Sequence, residues 1–190
     1  GAYALGLQKD SDTLNALQDT EEKEKNITVR NYLAQTIAMI NGKEYISPLL
    51  QQLQIQAVSA KGQYNQREVI HVSIIVQNIG SIPIVINSVN ISFVDLAFEI
   101  MGPDDKPAEY IGPMYSRTSF PSEKTLLTLM PGESHRFGPY ILNSHFAFDK
   151  SGKYKVVGVY SNPPYASGIE FGVYALVGSV KSEPVTIEVR

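Results

Sequence analysis

Val69-Ile70-His71-Val72-Ser73-Ile74-Ile75-Val76-Gln77 is the stretch that decides the fold. Ile70, Val72, Ile74 and Val76 stand two apart, and His71, Ser73 and Gln77 take the alternate positions. A period of two sends the two sets to opposite faces of an extended strand, one face against a core and one toward water. Upstream, Leu53-Gln54-Ile55-Gln56-Ala57 alternates in the same way, and a turn around Lys61-Gly62 separates the two runs. Downstream, Asn78-Ile79-Gly80-Ser81 interrupts the pattern and Ile82-Pro83-Ile84-Val85-Ile86 resumes it. Pro83 has no N–H to offer a ladder, so that piece is expected at a strand start or a sheet edge.

Further strands follow with a change of phase. Val89, Ile91 and Phe93 occupy odd positions, whereas Leu96, Phe98 and Ile100 occupy even ones. A slip of one residue turns a side chain to the other face, which predicts a bulge or corner near Val94-Asp95. Gly102-Pro103-Asp104-Asp105-Lys106-Pro107 reads as a tight hairpin connection, because Pro, Asp and Gly preset turn dihedrals. Residues 111–124 read as a loop-like insertion, followed by a short strand, Leu126-Leu127-Thr128-Leu129, and the turn Pro131-Gly132-Glu133-Ser134. Later strands are expected over 135–142, 153–160 and 185–189, with a long segment, 161–182, between the last two. Seven or more short strands separated by Pro/Gly turns predict a mainly β chain, an antiparallel β-sandwich. Asp149-Lys150-Ser151-Gly152-Lys153-Tyr154 sharpens this to an immunoglobulin-like sandwich. In such folds a Tyr near the start of the penultimate strand returns its hydroxyl to upstream backbone. The Cys and Trp landmarks of antibody domains are absent.

The first 52 residues have a different character. Ser11 or Asp12 is placed to cap a helix running to about Lys25. Val29, Tyr32, Leu33, Ile37 and Ile40 fall near one face of a second helix, and Asn41-Gly42 is its stop signal. The expectation is a helical hairpin of low core content as an extension over 1–52, with the sandwich over 53–190. The charge run Asp19 to Lys25 reads as a solvated helix face.

Composition removes several function classes. The chain has 190 residues, with 16 basic and 19 acidic side chains for a net charge of −3, which argues against a nucleic-acid binder. No apolar run approaches the length of a membrane-spanning helix. The absence of cysteine excludes disulfides, thiol nucleophiles and Cys-ligated metals. A first residue of Gly rather than Met is read as the mark of a processed or engineered piece, and export is the reading preferred.

The span from Tyr64 to Val189 resembles the immunoglobulin-like, non-catalytic domain that precedes the catalytic domain of deuterolysin-like and peptidyl-Lys metalloendopeptidases. That domain also occurs in exported bacterial proteins of unknown role. The resemblance is carried by Tyr64, by Asn78-Ile79-Gly80 in place of the usual Asn-Thr-Gly, and by the hairpin from Gly102 to Pro107. Tyr110-Ile111-Gly112-Pro113-Met114, Leu129 to Ser134 and Asp149 to Tyr154 complete it, while 1–52 and 161–182 lie outside the pattern. The resemblance implies a fold and not an activity. The peptidases' HExxH needs two His one helical turn apart, and His71, His135 and His145 include no such pair.

Other chemistry finds no motif. There is no GxSxG and no Gly-rich phosphate loop, and Asp104-Asp105 reads as a turn rather than a calcium site. Asn26-Ile27-Thr28 and Asn90-Ile91-Ser92 match the glycosylation acceptor pattern. Tyrosine is enriched, with 11 Tyr against 7 Phe and no Trp. Tyr110, Tyr115, Tyr160, Tyr165 and Tyr174 fall in or beside the two long insertions, and Tyr suits recognition loops.

These readings predict a non-enzymatic exported module, secreted, periplasmic or on the cell surface, that binds a protein or glycan or serves a structural role. Binding is expected on 111–124 and 161–182, through Tyr110, Tyr115, Arg117, Tyr165 and Tyr174. No cofactor, metal, nucleic-acid partner or transmembrane segment is expected. One alternative is a protease inhibitor that presents Arg117 to a trypsin-like enzyme. Another is an accessory domain of a larger secreted peptidase.

Overall fold

The computed structural model describes residues 11–43, 47–88, 96–114, 123–162 and 175–190. Two helices come first, α1 (Ser11–Lys23) and α2 (Ile27–Ile40). They pack on each other, and Arg30 Nε reaches Glu21 Oε1 at 2.8 Å. Gly42 ends α2 with φ +67, and the Lys43 N–H then donates to the Ala38 carbonyl at 2.8 Å. That six-to-one bond from a left-handed residue is how a glycine satisfies the last carbonyls of a helix. Leu33 and Ile40 are buried but stand apart from the main core cluster. No described helix is long and apolar enough to cross a membrane.

The described remainder is mainly β. Its strands are β1 (Leu53–Ser59), β2 (Gln63–Tyr64), β3 (His71–Asn78), β4 (Ile84–Asn87) and β5 (Leu96–Met101). They continue with β6 (Leu126–Leu129), β7 (Ser134–Ile141), β8 (Gly152–Asn162), β9 (Gly178–Lys181) and β10 (Val185–Val189). One sheet has the order β1-β3-β7, a second β2-β10-β8-β5 with β9 also on β8, and β4 and β6 pair apart. All these pairings are antiparallel except the two-residue contact of β10 with β2.

The first two sheets face each other in a sandwich-like arrangement. Val72, Ile74 and Val76 from β3 share one cluster with Tyr154, Val156 and Tyr160 from β8 and Ile187 from β10. Each fully buried aliphatic side chain contributes roughly 1.5–3 kcal/mol through removal from water. At Gly158 the sheets come close: a Cβ there would stand 3.0 Å from Ile74 Cγ1 and 3.5 Å from the Ala57 methyl.

The expected strands are present over 53–57, 84–86, 96–100 and 126–129, and both helices form. Four readings need correction. The strand quoted first begins at His71 rather than Val69, and Ser73 and Asn78 are buried although the alternation sends Ser73 to water. The segment 161–182 is not a loop throughout: β8 runs on to Asn162, and Gly178–Lys181 is a strand against its far end. β9 and β10 flank the same side of β8 and are separated by Ser182-Glu183-Pro184. There the Ser182 hydroxyl accepts the Gly158 N–H at 2.9 Å, a ladder bond supplied by a side chain beside a proline. Nor is the pairing wholly antiparallel, because β2 lies parallel to β10. The corner expected at Val94-Asp95 and the strand through Val89, Ile91 and Phe93 lie outside the described residues.

Candidate functional site: a cleft at one end of the sheets

The end of the molecule where β3, β8 and their neighbours begin or finish is held by a few side chains. After β7 the chain makes a single 3-10 turn, Leu142–Ser144, anchored by the fully buried Leu142. Asn143 faces the 65–70 loop: its Oδ1 accepts the Ile70 N–H at 3.1 Å and its Nδ2 donates to the Glu68 carbonyl at 2.9 Å. An amide that serves as donor and acceptor at once fixes a loop with no secondary structure of its own. Glu68 closes that loop, taking the Asn65 N–H at 2.9 Å and pairing with Lys61. The Lys61 hydrogen bond, with help from the Asn65 N–H, holds the Glu68 carboxyl below its usual range. Arg67 sits at the tip with φ +65. Few L-residues occupy that region, which marks a tight turn of the backbone there.

On the other side residues 109–112 run along 145–147. The Ala147 N–H donates to the Glu109 carbonyl at 2.9 Å and the Ile111 N–H to the His145 carbonyl at 2.8 Å. Tyr110 lies edge-on to Phe146 at 5.3 Å between centroids and donates its hydroxyl to the Pro113 carbonyl at 2.7 Å. His145 Nδ1 is occupied by the Ser144 hydroxyl at 2.7 Å and the Ile141 carbonyl at 3.2 Å. Between these walls opens a cleft of about 570 Å³ lined by Arg67, Ile111, Asn143, Phe146, Phe148 and Asp149, among others. Its lining is mixed, with Asn65, Gln66 and Glu68 beside Arg67, and with Ile70 and Val189 among the apolar groups. Tyr110, Ile111 and Met114 are 41%, 56% and 97% exposed. Contiguous exposed apolar groups are the ordinary mark of a contact surface.

Of the residues singled out in the sequence, Tyr110 stands at this cleft, whereas Tyr115, Arg117, Tyr165 and Tyr174 lie outside the described residues. Tyr160 is a core residue, and its hydroxyl accepts the Asn87 N–H at 3.0 Å. The described flanks also separate the two insertions in part. The first leaves from the Tyr110 end, but its return at Thr125 accepts the Ser88 N–H beside β4. The second leaves from Asn162, at the other end of β8, and its return at Leu176 donates to the Val85 carbonyl of β4. β8 is 11 residues long, roughly 35 Å at the usual strand rise. Arg67 escaped sequence reasoning, whereas Ile111 and Met114 fall within the 111–124 segment expected to bind but were not singled out, although apolar residues interleaved with Gly112 and Pro113 were a usable signal for an exposed apolar turn.

Beside the cleft the Ser144 hydroxyl stands 2.7 Å from His145 Nδ1, and both groups also reach the Ile141 carbonyl, at 2.7 and 3.2 Å. His71 and His135 sit five residues apart along the β3–β7 ladder, opposite Ile141 and Val76 respectively, and His145 lies past β7. Among the described residues no group of three or more His, Cys, Asp or Glu is gathered as metal ligands would be. The cleft brings together the Arg67 cation, the Glu68 and Asp149 carboxylates and apolar groups such as Ile111 and Phe146.

No protein-family model matches the chain, and no curated protein does. Among solved structures it is similar to the sporulation control protein Spo0M from Bacillus subtilis, at 16% identity and a TM-score of 0.37 over 73% of this chain and 49% of that one. It is also similar to a β-glucosidase variant from Listeria innocua in complex with laminaribiose, at 13% identity and a TM-score of 0.30 over 73% of this chain and 16% of that one. The chain thus matches about half the length of the first and a small part of the second.

Proposed function

We propose that the chain is an exported, non-enzymatic binding module on an immunoglobulin-like sandwich, and that it docks a partner protein at the cleft beside Tyr110. The observation that carries the reading is the run of exposed apolar residues Tyr110, Ile111 and Met114, of which Ile111 lines a cleft whose cation, Arg67, makes no ion pair among the described residues. A protein fits better than a glycan. Sugar recognition wants a free aromatic face with polar edges, and here the single ring among these three groups has its hydroxyl committed to Pro113, while the other two are aliphatic. Aliphatic and Met side chains around a cleft are what a protein interface buries. The immunoglobulin-like half of the reading is supported by the facing sheets and by the Tyr154 hydroxyl, which donates to the Lys150 carbonyl at 2.9 Å. Export is supported by the resemblance to exported accessory domains.

The test is site-directed photocrosslinking in the source cell, with benzoylphenylalanine in place of Met114 and, as a control, in place of the exposed Gln54 on β1. A discrete adduct is expected at position 114 only, lost when Ile111→Asp is added. The protein recovered in it should then bind the purified chain at least about tenfold more tightly than it binds Ile111→Asp, as for an anchor residue of an interface. No adduct beyond the control, or one indifferent to Ile111→Asp, overturns the proposal, and retention in the cytosol overturns its export half.

A further inference from the structure

The outward face of the β1-β3-β7 sheet is dented. Cross-strand partners share a face, and Val58 pairs with Ser73 while Arg136 pairs with Ile75. These four therefore stand with His71 on the side opposite Val72, Ile74 and Val76. The β3–β7 register slips between Val72 and Ile74, and an irregularity of that kind twists and bends the strand locally. Ser73, at the slip, is only 5% exposed although it stands on the face opposite Val72, Ile74 and Val76. The result is a hollow of about 360 Å³ lined by Val58, Ala60 and Pro139 together with Ser73, His71 and Arg136.

Two polar groups of this hollow are unused. Arg136 is exposed and makes no ion pair or hydrogen bond among the described residues. His71 Nδ1 is buried and has no hydrogen-bond partner, and a buried ring nitrogen left unpaired is uncommon and costly. We propose that this hollow is a binding site for a small organic carboxylate. A planar guanidinium with no partner selects a planar anion, to which it donates two parallel hydrogen bonds. The Val58, Ala60 and Pro139 walls select an apolar body behind that anion, and the volume suits a compact ligand. His71 supplies the second polar contact when its ring turns to bring Nδ1 to the ligand oxygen, and the Ser73 hydroxyl lies at the floor. A phosphate, with more oxygens to satisfy, finds too few donors here. This site shares no residue with the Tyr110 cleft, so either proposal stands or falls alone.

The experiment is a titration of the full chain with sodium benzoate, followed by the His71 ring resonances in NMR and by calorimetry, with benzamide as the neutral isostere. Saturable benzoate binding with a Kd on the order of 1 mM or tighter is expected, with a shift of the His71 ring signals. Arg136→Gln, an exposed substitution that leaves the core untouched, weakens binding roughly tenfold or more, as loss of a charge-assisted bond does. Benzamide binds weaker by a similar factor. Absence of saturation up to about twentyfold above that Kd overturns the proposal. So does equal affinity for benzoate and benzamide, or for the native chain and Arg136→Gln.

Discussion

Tyr154 is 2% exposed, and its hydroxyl both donates to the Lys150 carbonyl at 2.9 Å and accepts the Lys150 N–H at 3.2 Å. Burial raises its pKa above the ordinary value, so it stays a neutral donor at physiological pH. One side chain thereby ties the turn at 149–152 to the strand that follows. Tyr154→Phe keeps the ring against Phe148, whose centroid lies 4.7 Å away, but leaves both Lys150 backbone groups without this partner. The expected loss is about 1–2 kcal/mol, measured by urea denaturation as a lower midpoint at unchanged slope. This residue was legible in the sequence, because a Gly-containing turn before a Tyr-led strand is a local pattern. Asn78 was not. It is fully buried and donates to Ile82 and Leu129 carbonyls at 2.8 and 2.9 Å, while its Oδ1 accepts the Gly80 N–H at 2.9 Å. Local reading sees a turn residue at that position, and only the arrival of β6, 51 residues onward, gives the amide a second carbonyl.

At the scale of elements, the turn after β5 is clamped to the turn before β8. Asp104 Oδ2 and Lys150 Nζ lie 2.8 Å apart, and Asp105, with φ +55, is 3.6 Å from Lys155 Nζ. The Lys150 hydrogen bond holds the Asp104 carboxyl below its usual range, and Asp104 in turn raises Lys150. A carboxyl whose folded pKa is depressed contributes stability that is present above its unfolded pKa and disappears as pH falls through the folded pKa. An exposed pair contributes little in absolute terms, so the clean readout is the titration itself. The Asp104 carboxyl carbon should titrate below the range of an isolated Asp, and Lys150→Met should return it upward. An unchanged midpoint in Lys150→Met would contradict the clamp. The hairpin chemistry was readable from Gly102 to Pro107, whereas its ionic partner sits 46 positions away and no local pattern announces it.

For the whole molecule, the two large sheets approach closely at Gly158. Gly158→Val inserts two methyls where even a Cβ meets Ile74 at 3.0 Å, and overpacking of this kind costs about 1–3 kcal/mol. Pairing it with Ile74→Ala should recover part of that loss, so that the double variant is more stable than the sum of the singles. Strict additivity in thermal or urea unfolding would mean that β3 and β8 do not face one another there.

The amino-acid order by itself determined which segments are helical, which alternate as strands, where Pro and Gly interrupt them and that cysteine chemistry is excluded. Backbone preferences and short-range periodicity act over a few residues, and those rules are written locally. Only the tertiary structure decided that Gly178–Lys181 extends the edge of β8 and that Ser73 lines a hollow instead of meeting water. It also brought Arg67, Ile111 and Phe146, from three distant stretches, to one cleft. Such facts depend on which strands lie side by side and in what register. A shift of one residue in that pairing reverses every face, and no window along the chain contains it.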